Sequence, residues 1–117
     1  MNSMKIRGGK TPEGKVVAEI MRKLRIEGWY VIKMHGNKFQ AGFPDLYACH
    51  RDFGIRLIEA KDPKRKGDVF TAAQHEVFKD MEANGHGPWV MTGGSDHEYG
   101  KLFKPANWWH YLSTMRI

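Results

Sequence analysis

The chain has a single cysteine, Cys49, so no internal disulfide can form. That excludes a disulfide-stapled scaffold and fits a reducing compartment. No apolar run approaches the ~18 residues that a membrane-spanning helix needs. The opening residues, Met1-Asn2-Ser3-Met4-Lys5-Ile6, are basic but lack the apolar stretch of a secretory leader. Six histidines (His35, His50, His75, His86, His97 and His110) are scattered, and with one cysteine they give no zinc-like spacing. There is no repeat, no low-complexity segment and no interdomain linker. A single cytoplasmic domain without membrane segments is the expectation for 117 residues of this kind.

What the chain does have is positive charge. Its formal net charge is +6 and its pI about 9.6, which favours polyanionic partners, nucleic acid above all. Many small proteins are basic without binding DNA, so the charge acquires meaning only from the residues beside it.

Residues 1–10 hold Lys5, Arg7 and Lys10 around Gly8-Gly9 and read as a flexible basic arm. Thr11-Pro12-Glu13 opens a helix: an N-cap, a proline at the first helical position and an acid in the first turn. Val16, Val17, Ile20, Met21 and Leu24 recur at helical spacing, and Gly28 ends the run. Glu13 falls inside this stripe and Glu19 outside it. An acid on a core-facing position either complements the helix dipole or has a partner that offsets its burial. Residues 29–35 read as a strand and 36–41 as a polar loop carrying Asn37 and Lys38. Residues 45–50 and 55–61 read as two further strands, with both faces covered, joined by turn residues Arg51-Asp52-Phe53-Gly54. A basic loop, residues 62–68, precedes a second helix capped by Thr71, with an apolar stripe of Phe70, Ala73, Val77 and Met81 and a stop at Asn84-Gly85. Residues 88–92 form a last strand. The tail, 95–117, carries Tyr99, Phe103, Trp108, Trp109 and Tyr111, with a short helix expected after Pro105. The fold class is therefore α/β, a mixed sheet of about four strands flanked by helices. Residues 11–94 make its core and 95–117 an aromatic cap of the same domain. The first three strands can form an antiparallel meander, and the crossover through the second helix adds a parallel edge.

Side chains alternate along a strand, so Glu59 and Lys61 share a face. In a hairpin, Asp45 at the start of one strand lies near Glu59 and Lys61 at the end of the other. Two carboxylates and an ammonium at one sheet end suit a hard divalent cation and a phosphate. An oxygen-only ligand set that leaves room for water and phosphate points to Mg²⁺, with Mn²⁺ able to substitute. The cations Lys64, Arg65 and Lys66 leave the sheet directly after Lys61, and Lys38 precedes the first of these strands. Each is a candidate phosphate contact, and each is equally read as solvated surface. Gln74 lies within the second helix stripe, where its amide can orient a water or a carboxylate.

These residues also carry a family pattern. Gly42-Phe43-Pro44-Asp45-Leu46, then Ile58-Glu59-Ala60-Lys61, then Thr71-Ala72-Ala73-Gln74, with Glu13 near the start of the first helix, resemble the PD-(D/E)XK nuclease superfamily and its VRR-NUC branch over roughly residues 11–92. Glu-x-Lys alone is common; four elements in order are specific. The resemblance implies a restriction-endonuclease-like core and a metal-dependent endonuclease acting on DNA phosphodiesters. It implies metal ligation by Asp45, Glu59, the Ala60 carbonyl and Glu13, catalysis by Lys61, and a site role for Gln74. Small stand-alone, phage-like members further imply a homodimer on branched DNA such as Holliday junctions. The tail aromatics are one route to a dimer; finishing a small core is the other. A flap or nicking nuclease of the same fold, or a non-catalytic basic DNA-binding module with structural carboxylates, are the alternative readings.

Overall fold

The computed structural model describes residues 11–34, 41–65 and 69–112. The basic arm, His35, Asn37, Lys38 and Lys66 lie outside the described residues.

Helix α1, Pro12–Ile26, starts as its sequence dictates: Thr11 is extended, and its hydroxyl accepts from the Gly14 N–H at 2.9 Å. Val16, Val17, Ile20 and Leu24 are its buried stripe. Gly28, at φ 92°, turns the chain where an L side chain is strained, and delivers buried Trp29 to the core.

Strands β1, Tyr30–Lys33, β2, Leu46–His50, and β3, Gly54–Ala60, form an antiparallel meander. Helix α2, Ala72–Ala83, then carries the chain to β4, Trp89–Met91, which pairs parallel with β3. The sheet order is β1-β2-β3-β4. Asp45 and Lys61 stand one residue beyond the strand ends. The reason at Asp45 is chemical: its carboxylate, rather than a ladder carbonyl, takes the Ala60 N–H.

Alternation splits β4 between two apolar clusters, with Met91 in one and Val90 in the other. Ile58 and Ala60 join Leu46, Ala48, Met91 and the α1 stripe on one face. On the other, Val90 packs with Val69, Phe70, Phe78 and Trp108. Phe78 is fully buried at the centre of that second cluster, although the stripe read from sequence runs through Phe70, Ala73, Val77 and Met81. Trp108 from the tail, with ring centroids 6.0 Å away, supplies the partner that draws Phe78 inward. Covering both faces of β2 is likewise incomplete. Leu46 and Ala48 are buried, but Tyr47 and Cys49 are only half-buried on the side away from α1.

The tail differs from a single helix after Pro105. Helix α3, Asp96–Gly100, precedes it, capped by the Ser95 hydroxyl, and two 3₁₀ turns follow, Lys101–Phe103 and Trp108–Tyr111. Between them Asn107 acts as a surrogate strand on the open edge of β4. Its amide accepts from the Val90 N–H at 2.7 Å and donates to the Val90 carbonyl at 3.2 Å. That closes an edge that would otherwise present unpaired backbone groups. No helix among the described residues is long and apolar enough to cross a membrane.

Candidate active site

The register Leu46↔Ile58 sets Asp45 across from Glu59 at the end of the β2–β3 pair. The approach to Asp45 is tightly constrained. Gly42 sits at φ 87°, and a Cβ there would lie 2.5 Å from the Ala73 carbonyl oxygen of α2. Only glycine passes so close to the helix, and buried Pro44 then fixes the entry into β2. Asp45 Oδ2 accepts from the Ala60 N–H at 2.9 Å. The amide and carbonyl of one strand residue face the same edge, so the Ala60 carbonyl is directed to the Asp45 side.

Glu59 is 1% exposed. Its Oε2 accepts from Gln74 Nε2 at 2.8 Å and lies 3.2 Å from Lys61 Nζ. Its Oε1 is buried without a hydrogen-bond partner, the one such side-chain atom among the described residues. Lys61, 4% exposed, donates to Gln74 Oε1 at 3.1 Å and stands 5.4 Å from the Phe70 ring centroid. Glu13 Oε2 lies 3.9 Å from Lys61 Nζ and 3.6 Å from Arg65 Nη1. Glu19 is elsewhere, exposed, and accepts from the Gly94 N–H.

Gln74 holds this arrangement together. It completes a capping box with Thr71: the Thr71 hydroxyl accepts from the Gln74 N–H, and Gln74 Oε1 accepts from the Thr71 N–H. The same amide cross-links Glu59 and Lys61. The first turns of α1 and α2 thus reach Lys61 from two sides, with Glu13 and Gln74. Their positive dipole ends converge on this corner of the sheet.

The electrostatics show a shortage of positive charge. Burial pushes the Glu59 carboxyl up to about 8, and the Asp45 charge adds to it; Lys61 and Gln74 pull the other way without offsetting it. Burial raises Asp45 too. Its bond from Ala60 opposes this, Glu13 adds to it, and Lys61 and Lys33 oppose it. Among the described residues, no three or more His, Cys, Asp or Glu side chains make a ready metal cage. Mg²⁺ does not need one: it is held by one or two carboxylates and fills its shell with waters and phosphate oxygens. Asp45, Glu59 with its unpartnered oxygen, and the Ala60 carbonyl fit such an ion.

The structure brings Glu13, Asp45, Glu59, Ala60, Lys61, Gln74 and Arg65 together. Lys64 is exposed on the adjoining loop, where its N–H bonds to Asp62 Oδ1 at 3.0 Å. Lys38 and Lys66 lie outside the described residues. One cation is not singled out by the sequence. Lys33 reads as an ordinary strand residue, but the β1–β2 ladder continues from Lys33↔Leu46 to a 2.7 Å bond between the Met34 N–H and the Asp45 carbonyl. That register leaves exposed Lys33 near enough for its charge to act on Asp45. Counting β1 back from Asp45 was the signal that could find it. Comparison with protein-family models, curated proteins and solved structures gives no match.

Proposed function

We propose that the chain is a Mg²⁺-dependent endonuclease that hydrolyses DNA phosphodiesters, with the motif order of the VRR-NUC branch on a restriction-endonuclease-like core. The observation that carries this reading is buried Glu59 opposite half-buried Asp45 and beside Lys61, with one Glu59 oxygen left unpartnered. A buried carboxylate in that state is costly unless a cation completes it.

Asp45, Glu59 and the Ala60 carbonyl would hold the ion, and Glu13, beside Lys61 and Arg65, would be a further ligand directly or through water. When bound, the ion supplies Lewis acidity toward the phosphate and a lowered pKa for a coordinated water. Gln74 fixes Glu59 through one oxygen and keeps the other available. Lys61, held by the same amide, orients the attacking water or stabilises negative charge developing on the phosphate. The two helix N-termini favour an anion at this corner. Lys33 on one side and Arg65 on the other give phosphate contacts flanking the carboxylates. The site residues come from a packed sheet end and two helix starts, and among the described residues no separate element is placed there to read base edges. Recognition therefore rests on shape and phosphates, which suits branched DNA, with four-way junctions first.

The test is cleavage of plasmid and four-way-junction DNA in Mg²⁺ and in EDTA. Cleavage is expected in Mg²⁺ alone, and Asp45→Ala and Glu59→Ala should abolish it while retaining the fold and most DNA binding. Full Mg²⁺-dependent cleavage by either variant, or cleavage that survives EDTA, overturns the assignment.

A further inference from the structure

A second concavity, of about 430 Å³, is formed by the tail and shares no residue with the carboxylate site. Its wall includes His97, Lys101, Lys104, Trp109, His110 and Tyr111, and among the described residues none that lines it is an acid. Its size is within the range of small-ligand pockets. The wall is held in shape before any ligand arrives. Lys101 Nζ donates to Glu98 at 2.8 Å and to the Tyr111 hydroxyl at 3.0 Å, and Asn107 is tied at both ends to Val90. Because Glu98 takes up the Lys101 charge, exposed Lys104 is, among the described residues, the lysine offered at the rim.

The two adjacent tryptophans have opposite fates. Trp108 is 6% exposed in the core, whereas Trp109 is 43% exposed and leans on His110 at a centroid distance of 3.8 Å. An accessible indole face beside an exposed ammonium forms the combination that binds unpaired nucleotides: the base stacks on the ring and the phosphate meets the ammonium. A duplex hides the faces of its bases and cannot enter a concavity of this size, whereas an unpaired nucleotide can.

We propose that this tail concavity binds one nucleotide of a single-stranded DNA segment, its base on Trp109 and its phosphate at Lys104. The proposal rests on the nuclease reading above for its substrate class. It gives that enzyme a second point of contact, on the strand next to the one that carries Glu59. Asn107 fixes the concavity to β4, and β4 pairs with β3, so the position of an unpaired nucleotide relative to the cut is set by the fold. DNA with an unpaired nucleotide near the branch is then held in one register.

The experiment is titration of the full chain with a short thymidine oligonucleotide in EDTA, where no cleavage occurs. Tryptophan fluorescence and anisotropy are the readouts. The parent should bind with quenching. Trp109→Ala should weaken binding by about tenfold, the scale of one lost base stack. Trp109→Phe should keep most of the affinity, and Lys104→Ala should weaken binding and flatten its salt dependence. Thermal melting of each variant separates lost contact from lost fold. Binding unchanged in Trp109→Ala, equal loss in Trp109→Phe and Trp109→Ala, or no oligonucleotide binding by the parent overturns the proposal. Plasmid cleavage by the parent in Mg²⁺ reports separately on the nuclease: cleavage without oligonucleotide binding sinks only this site, and Trp109-dependent binding without cleavage sinks only the nuclease.

Discussion

Glu59 is the residue on which the site's behaviour turns, because its ionisation is coupled to folding. Its carboxyl titrates at about 8 in the folded chain, against 4.5 in the unfolded one. Between those values the folded state binds more protons than the unfolded state. The stability of the metal-free protein therefore falls as pH rises from about 4.5 to about 8, and flattens above that. Asp45, also raised, contributes with the same sign. Melting in EDTA at pH 5, 7 and 8 should show this decline. Glu59→Gln should remove most of it and melt several degrees above the parent at pH 8, a difference of roughly 1–3 kcal/mol, the scale of an unsatisfied buried polar group. Mg²⁺ should raise the parent's melting temperature and leave that variant's unchanged. Ligation needs the deprotonated carboxylate, so binding should also release protons near neutral pH, measured by calorimetry in buffers of different ionisation heat. A flat profile in the parent would mean that Glu59 is already charged, and so already partnered.

Helix α2 shows how one element joins stability to chemistry. Thr71 serves only the cap, whereas Gln74 serves the cap and the Glu59–Lys61 pair. Thr71→Ala and Gln74→Ala should each cost stability of about 0.5–2 kcal/mol, the usual range for a lost cap. Only Gln74→Ala should also slow single-turnover cleavage at saturating DNA. Equal slowing by both would reduce Gln74 to a helix residue. The capping box and the α1 start are legible in sequence because local hydrogen bonds fix them. So is the meander, since Asp45, Glu59 and Lys61 are set by alternation and one turn. Phe78, Asn107 and the two 3₁₀ turns are not legible, because each is defined by a partner far along the chain. Lys33 falls between: its residue type says nothing, and its register says where it is. Lys33→Ala and Arg65→Ala should each weaken DNA binding across sequences and lower the salt slope by about one, the signature of a phosphate contact. An unchanged slope for Lys33→Ala would return it to an ordinary strand residue.

At the scale of the molecule, the described residues of each chain offer one carboxylate site, while resolving a four-way junction takes two symmetrically placed cuts. A two-fold homodimer supplies them, and such an interface must be one patch that packs against itself. The tail aromatics divide: Phe103 and Trp109 stay 45% and 43% exposed, and the other three are occupied within the chain. Trp108 is in the core, Tyr99 packs edge-on to Trp29, and Tyr111 is half-buried beside Lys101. Among the described residues, a further run of exposed apolar side chains lies on the face of β1–β3 away from α1, where two cross-strand rows run Tyr30–Cys49–Ile55 and Ile32–Tyr47–Leu57. Tyr30 is 60%, Ile55 55% and Ile32 39% exposed there. A groove of about 750 Å³ lined in part by Ile55, Leu57, Trp89 and Pro105 adjoins this surface. We therefore expect a dimer by light scattering at micromolar concentration, joined through this face. Ile32→Glu with Ile55→Glu should yield a monomer of nearly unchanged melting temperature, because both side chains are largely solvated in the single chain and a charge there disturbs only the contact. On a four-way junction the parent should make paired, symmetric cuts, and the double variant single unpaired nicks. A monomeric parent, with and without DNA, would remove the dimer, and symmetric cutting by the monomeric variant would remove the link between dimer and resolution.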